Sequence, residues 1–351
     1  MSKRKVAAAV TVALCMAMAL ALTGCGSSGG SEGGSDGGSG SGKLGSGKIG
    51  FIQSSAESER VAIWSDTAEA ALDRIGWEAV IMDGKGDPGV QGSSVQALIA
   101  QQVDGIVLMA VDPGPIRTQL EDAKDAGIPI IAAALSTGGP GMDLLSANYA
   151  PEDEEYGRVL AEYLAEKVPG GGEYVQIDLT PIYGAHLAIV GAAPLLEEAG
   201  WKEVGMVDLD PANLAQSTQD AAASLIQAHP KAKVLFSCCD FTPAATNAVL
   251  ADDHPDVIQL ARYDNPSALQ LIREGANLVL SNANADTGIL IAIDQILAHK
   301  VDGAPIDPKA ADGAFEFEVI DASNVPPEGE THFDVEAQID TYVTKWEQQY
   351  E

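Results

Sequence analysis

Short apolar runs alternate with longer amphipathic segments between Lys48 and about residue 135. The short runs predict strands, and the longer segments predict helices because their apolar residues recur with the helical period. Nearly continuous apolar strands are typical of a parallel sheet that helices cover on both faces. The predicted strands are 49–53, 78–82, 105–110 and 128–133, and the predicted helices are 60–75, 90–102 and 115–126.

The same alternation begins again near residues 146–151. The acidic run Glu152–Glu155 favours the start of a helix, where the helix dipole stabilises negative charge. Since about 300 residues are too many for one ordinary core, we predict an α/β protein with two similar halves. This second part contains predicted strands at 174–179, 204–209, 233–237, 257–262 and 315–320, and predicted helices at 152–167, 186–199, 214–228, 242–251 and 335–350.

The N-terminus is typical of an export signal. The basic segment Lys3–Lys5 precedes an apolar stretch, residues 6–22, that is at the lower length limit for a membrane span. The next segment, Leu22–Cys25, resembles the lipobox of bacterial lipoproteins, whose cysteine carries the lipid; an ordinary signal with an incidental cysteine is the alternative. A segment rich in Gly and Ser follows and predicts a disordered tether. The expected boundaries are a signal peptide at 1–24 and the lipidated Cys25 with its tether at 25–47.

Composition excludes several classes of function. The formal net charge of −31 argues against binding to nucleic acid and against docking of a basic patch on anionic lipid. The five His residues are scattered, so we predict no metal site. The glycines of the tether partly match nucleotide-binding motifs, but they precede the first strand instead of following it, so we predict no cofactor.

The cysteines predict no long-range disulfide framework, because Cys15 lies in the signal and Cys25 is the expected lipid site. Cys238 and Cys239 are adjacent. In an oxidising compartment they form either a vicinal disulfide or two buried thiols, and the sequence leaves both alternatives open.

The succession of short motifs resembles the type I periplasmic-binding proteins of the ribose and galactose branch, over about residues 48–320. The motifs that carry the resemblance are Lys48–Phe51, Asp83–Pro88, Gln102–Ile106, Ala123–Pro129, Tyr263–Pro266 and Ile272–Gly275. The resemblance implies two Rossmann-like lobes with parallel sheets, a hinge of three crossings and a ligand trapped in the cleft between the lobes. The expected lobes are 48–147 with 283–311, and 148–282 with 312–351, the latter also completing the hinge.

Site residues follow from the resemblance one position at a time. Asp264 matches an Asp that accepts hydrogen bonds from ligand hydroxyls, and Asp240 matches part of a polar pair that lines the cleft. Asn282 matches an amide at the hinge. Asp264 alternatively caps a turn, and Asp240 alternatively caps the helix that follows it.

The chain departs from the sugar-binding pattern at several positions. Arg60 and Val61 replace the two aromatic residues that clamp a sugar ring, and Cys239 replaces the Asn before Asp240. Arg60 is therefore a candidate to pair with a ligand carboxylate or stack on a ring, with a solvated Arg at a helix start as the alternative. Further candidates lie in the loops after the first strand of each half, with ordinary loop packing as the alternative; they are Ser54, Ser55, Glu57, Tyr183 and His186.

These observations predict an extracytoplasmic lipoprotein, a monomer anchored to the outer face of the cell membrane by the lipid on Cys25. We expect it to bind a small polar ligand, a sugar or sugar-like molecule, and to deliver it to the permease of an ATP-driven (ABC) importer. The alternatives are a ligand-sensing receptor for a membrane signalling partner and a binder of a sugar acid, nucleoside or amino-acid-like solute. We predict no enzymatic activity, because the chain contains no nucleophile elbow, no plausible Ser/His/Asp set and no metal triad.

Overall fold

The computed structural model describes residues 43–210 and 213–351. Cys25 and the expected signal peptide and tether up to residue 42 lie outside the described residues. No helix of the described residues has both the length and the apolar character needed to cross a bilayer.

Within the described residues, the first half of the chain forms a five-stranded parallel sheet in the order β2-β1-β3-β4-β5. Its apolar strands are almost wholly buried at the centre, because helices pack on both faces. The strands are β1 (Lys48–Gln53), β2 (Glu78–Asp83), β3 (Gly105–Met109), β4 (Ile130–Ala133) and β5 (Ala147–Tyr149), and the helices are α1 (Glu59–Arg74), α2 (Pro88–Ala100) and α3 (Arg117–Asp125).

The second half forms a six-stranded sheet in the order β11-β10-β9-β8-β6-β7, again within the described residues. All its pairs are parallel except β10 with β11, which is antiparallel. The strands are β6 (Gly172–Asp178), β7 (Trp201–Asp208), β8 (Ala232–Ser237), β9 (Ile258–Arg262), β10 (Leu278–Ala283) and β11 (Phe317–Ile320). The helices are α4 (Asp153–Lys167), α5 (Tyr183–Glu198), α6 (Leu214–Ala228), α7 (Thr242–Leu250) and α8 (Pro266–Arg273).

Two late helices return to the first sheet. Helix α9 (Asp286–Asp302) follows β10 and packs on α1, β4 and β5, and helix α10 (Val335–Tyr350) packs on α1 and α9. Trp346 is fully buried and donates its indole N–H to Asp294 Oδ1 over 2.9 Å, which fastens α10 to α9. The chain therefore passes between the two halves a fourth time, after β11. The sequence analysis placed all of 312–351 with the second lobe, whereas α10 lies against the first.

The α/β architecture predicted from the sequence is confirmed, and the predicted strand and helix ends agree with the structure to within three residues. The sequence analysis did not assign β5, β10, α8 or α9. The strand β5 has three residues, too few for a periodic pattern. Helix α9 is buried on nearly all sides, so its apolar residues do not form a one-sided stripe.

Helices α4 and α5 pack unusually close to each other, at two glycines. A Cβ atom on Gly157 would lie 1.7 Å from the carbonyl oxygen of Ala188, and one on Gly191 would lie 2.0 Å from the carbonyl oxygen of Glu154. These distances are far below van der Waals contact, so only glycine permits this approach. The α4–α5 pair lies beside the polar loops that join the two halves, which makes its spacing relevant to the site.

We expect Gly157→Ala to destabilise the protein, because the added methyl group has to push two helix backbones apart. Overpacking of this kind costs about 1–3 kcal/mol, and thermal or urea unfolding measures it. The matched control is Gly89→Ala, in the exposed first turn of α2, where the nearest atom is a side-chain oxygen of Asp87 at 3.0 Å. Equal unfolding midpoints for the two variants would contradict the close approach.

Candidate functional site

Loops at the carboxyl ends of strands from both sheets meet at one buried polar junction. The loop after β1 ends at Ser58, and Arg60 lies in the first turn of the helix α1 that follows. The loop after β8 carries Asp240, and the loop after β9 carries Asp264 and Asn265. In open α/β sheets this edge is where ligands bind, because every strand ends there and its loops converge. Two facing edges therefore create a candidate site between the halves.

Asp240 accepts hydrogen bonds from both halves. Its Oδ2 atom accepts from Ser58 Oγ over 3.0 Å and from the backbone N–H of Arg60 over 3.2 Å. The same oxygen accepts from Asn265 Nδ2 over 3.1 Å. All three donors are neutral, so Asp240 is a hydrogen-bond acceptor here and does not form an ion pair.

Arg60 spans the junction with its guanidinium group. Its Nη2 donates to Asp264 Oδ1 over 2.5 Å, its Nε donates to Asn265 Oδ1 over 2.9 Å, and its Nη1 lies 3.5 Å from Asp286 Oδ2. Arg60, Asp264 and Asp286 are each only 3% exposed. Burial acts to lower the pKa of the guanidinium, but the carboxylates of Asp264 and Asp286 raise the pKa above its ordinary value. Arg60 is therefore a paired cation.

A second buried ion pair lies next to the first. Arg262 Nη1 donates to Asp153 Oδ1 over 2.9 Å, while Asp153 Oδ2 accepts from the backbone N–H of Ser136, in the first half. The Arg262 guanidinium also lies 4.9 Å from the ring centres of Tyr156 and Tyr263. Burial raises the pKa of the Asp153 carboxyl to about 6, although Arg262 and Ser136 oppose the shift. The 2.9 Å contact with Arg262 favours the charged carboxylate, which compensates the buried guanidinium.

Several buried polar atoms around this second pair have no hydrogen-bond partner among the described residues. They are the hydroxyls of Tyr156 and Tyr263, Nε of Arg262, Oγ of Ser281 and Oδ1 of Asn282. Unpartnered buried polar groups are costly, and in native proteins they mark places that have a reason beyond packing. Asn282, predicted as a hinge amide, lies in this region at the end of β10, where it pairs with Glu318 of β11.

The loop after β1 contains three further predicted residues that do not bond to Asp240 or Asp264. Ser54 donates its backbone N–H to Met109, and Ser55 Oγ accepts the backbone N–H of Glu57. Glu57 is exposed. Ser54 is therefore bonded to the end of β3, and Ser55 is bonded within the loop.

Tyr183 and His186 lie at the start of α5. The Tyr183 ring lies against Gly138 of the first half, and its backbone N–H donates to Asp112 Oδ2 over 3.4 Å. His186 Nδ1 lies 2.6 Å from Asp178 Oδ2. Tyr183 contacts the opposite half, whereas His186 pairs with Asp178 of its own half.

Cys238 and Cys239 are joined in a disulfide directly before Asp240. Both residues are buried, and the carbonyl oxygen of Cys239 accepts the hydroxyl of Thr242 over 2.7 Å. Of the two alternatives that the sequence leaves open, the structure contains the vicinal disulfide. Among residues 43–210 and 213–351, no group of three His, Cys, Asp or Glu residues is placed to hold a metal ion.

Sequence reasoning missed Asp153, Arg262, Tyr263, Asn265 and Asp286. Asn265 and Tyr263 flank the predicted Asp264, so their place after a strand was a usable signal. Arg262 is the last residue of β9, and a charged residue at the end of a buried strand was a second signal. No sequence signal indicated Asp286, because the helix α9 that begins with this residue was not predicted.

Comparison with known proteins identifies a family. Residues 49–286 match the model of a family described as the periplasmic binding protein domain. The ribose import binding protein of Bacillus subtilis is 22% identical over 206 residues, which are 57% of this chain and 64% of that protein. The xylitol-binding protein of Mycolicibacterium smegmatis is 33% identical over 100 residues, which are 28% of this chain and 27% of that protein. The matches thus span less than two thirds of either relative.

Solved structures of solute-binding proteins of ABC transporters share the fold. One from Mycobacterium smegmatis, with bound glycerol, has a TM-score of 0.71 and 23% identity, and covers 82% of this chain and 99% of its own. Another, from Bacillus halodurans with bound myo-inositol, has a TM-score of 0.67 and 20% identity, and the match covers 80% of this chain and 96% of that structure.

We expect Asp153→Asn to lower the free energy of unfolding by about 3–5 kcal/mol, because it leaves the Arg262 charge buried without a carboxylate. The matched control on the same helix is Glu155→Gln, which removes a partner of the partly exposed Arg158 and should cost less than about 1 kcal/mol. Chemical unfolding of both variants measures the difference. Equal losses of unfolding free energy in the two variants would show that the buried Asp153–Arg262 pair is not needed for stability.

Proposed function

The chain belongs to the periplasmic binding protein family, and from this premise we propose that it is an extracytoplasmic solute-binding protein. It captures a small polar ligand, a sugar or a sugar-like polyol, between two lobes and delivers it to the permease of an ABC importer. The names of its relatives, which bind or import ribose and xylitol, support this proposal. We propose no chemical reaction for the site, since the family consists of binding proteins of transport systems.

The first lobe consists of β1–β5, α1–α3, α9 and α10, and the second of β6–β11 and α4–α8. The contacts of α9 with β4 and β5, and of α10 with α1 and α9, support this division. The lobe boundaries are those predicted from the sequence, except that α10 now belongs to the first lobe. The lobes close on a ligand as a hinge movement, which the passages of the chain between them permit.

The observation that carries the proposal is the buried junction of Asp240, Asp264 and Asn265 with the loop after β1. Carboxylate oxygens accept the hydroxyl donors that sugars and polyols present in number, and Asn donates and accepts at once. Asp240 has only neutral donors around it, which suits hydroxyls. These groups are the ligand-binding residues of the proposal, with Asn282 at the hinge.

The charges at the junction favour a neutral ligand. Arg60 and Arg262 supply two positive charges, and Asp153, Asp240, Asp264 and Asp286 supply four carboxylates, all of them buried. Arg60 is already paired with Asp264 and Asp286, so its hypothetical role as a partner for a ligand carboxylate is not supported. An added anion would have to enter a site rich in negative charge, and Coulomb repulsion in a buried site is strong.

We also propose that the mature protein is held at the outer face of the cell membrane by lipid on Cys25. The lipobox-like residues Leu22–Cys25 after a basic and apolar leader support this. The Gly- and Ser-rich tether that follows would let the binding unit reach a permease in the same membrane. We propose that the protein acts as a monomer.

We expect a neutral sugar or polyol to raise the thermal unfolding midpoint of the chain without residues 1–25. A ligand that binds only the folded state stabilises it by about 2.7 kcal/mol at a hundredfold excess over its dissociation constant. The panel contains pentoses, hexoses, polyols, sugar acids, nucleosides and amino acids. Asp264→Ala should abolish the shift, whereas the control Asp143→Ala, at an exposed pair with Arg117, should keep it. A panel that gives no shift on folded protein, or shifts only with sugar acids, would refute the proposal.

In bacterial cells supplied with a labelled fatty acid, the full-length chain should take up the label and sediment with membranes. Cys25→Ser should remove the label and release the protein from the membrane fraction. Cys15→Ser changes a cysteine inside the expected signal and should leave both results unchanged. If the Cys25→Ser variant still takes up the label, the proposed lipid anchor at Cys25 is wrong.

A further inference from the structure

The start of helix α1 is bonded directly to the opposite lobe. Three consecutive residues, Ser58, Glu59 and Arg60, make side-chain hydrogen bonds to the loops after β8 and β9 and to the first turn of α8. Their partners are Asp240, Ser267, and Asp264 together with Asn265. The two lobes are therefore joined by the chain's own polar groups, at the place where the proposed ligand binds.

Arg60 is the central group of this contact because its guanidinium has acceptors in both lobes. Asp286, in the first lobe, lies on one side of the guanidinium, and Asp264 and Asn265, in the second lobe, lie on the other. The planar group presents several N–H donors in a fixed fork, which one residue of another type would not reproduce. The ring of Tyr263 adds a face 5.3 Å from the guanidinium carbon.

The same carboxylates repel each other without the cation. Asp264 raises the pKa of Asp286, although less than burial does, which reflects their mutual repulsion. Arg60 turns this repulsion between the lobes into attraction to a shared positive charge. Removing one partner of a buried ion pair leaves the other charge uncompensated, which is strongly unfavourable. Without Arg60, separation of the lobes is the simplest relief, because it returns both carboxylates to water.

We propose that Arg60 is a latch and a specificity-determining residue of the cleft. It holds the lobes together by occupying Asp264 and Asn265, two acceptors that the proposed function assigns to the ligand. This inference rests on that function. Asp264 Oδ1 accepts from Arg60, and Asp264 Oδ2 accepts from the backbone N–H of His332 over 3.0 Å. A ligand hydroxyl at Asp264 therefore competes with donors of the chain itself. Ligands that cannot supply donors at both acceptors do not displace the latch.

The latch predicts a closed molecule in solution before any ligand is added. Small-angle X-ray scattering of the chain from residue 43 onward, without added ligand, should match the curve calculated from the described residues. Arg60→Met keeps the bulk of the side chain but removes the charge and the donors. It should shift the scattering toward a larger radius of gyration and a larger maximum dimension.

The matched control is Arg117→Met, which removes an exposed arginine that pairs within the first lobe and should leave the scattering unchanged. Circular dichroism establishes that each variant is folded. If Arg60→Met does not fold, Asp264→Ala, which removes the acceptor in the opposite lobe, is measured instead and should show the same shift.

Two outcomes would overturn the latch. One is a folded Arg60→Met or Asp264→Ala variant whose scattering is the same as that of the wild type. The other is a wild-type sample that scatters as an open molecule until a ligand is added. Neither result touches the proposed binding function, which the ligand panel decides separately.

Discussion

A guanidinium group buried between two lobes is the constraint on which the rest of the site depends. Burying a charge is expensive unless it is paired and fully hydrogen-bonded. Arg60 meets this condition only when α1, the loop after β9 and the start of α9 are all in place, since its acceptors come from Asp264, Asn265 and Asp286. Three separate parts of the chain therefore have to be in position together to compensate one cation.

Aromatic side chains pack against the two buried arginines. Tyr263 makes edge-to-face contacts with Trp64 of α1 and Tyr156 of α4, and Tyr156 makes another with Phe317 of β11. Tyr263 has a φ of 70°, a left-handed conformation that is uncommon for a bulky residue and is found where function requires strain. This turn lets Arg262 and Asp264, its two neighbours, reach different partners, Asp153 and Arg60 respectively.

The sequence predicts the features that depend on neighbouring residues. It does not predict contacts between residues that are far apart in the chain. The α/β alternation is a local period, so β1 to β4, for example, were assigned correctly. Asp240 and Asp264 were predicted from the resemblance to the family, and the structure places both in the loop after a buried strand, at the edge of the sheet where loops converge. The pairing of Arg60 with Asp264 and Asn265 was not predicted, because these residues lie more than 200 positions from Arg60 in the chain and no local pattern indicates that proximity.

The two ion pairs make the junction suitable for opening and closing. Arg60 of the first lobe pairs with Asp264 of the second, and the Arg262–Asp153 pair of the second lobe is bonded to the Ser136 backbone of the first. Each lobe thus keeps a carboxylate for its own arginine, Asp286 for Arg60 and Asp153 for Arg262. When the lobes separate, neither arginine loses every partner, and the groups that do part gain water. Hydration of the groups that part offsets some of what their contacts gain in the closed form, and a ligand changes the balance only through its different affinity for the two forms.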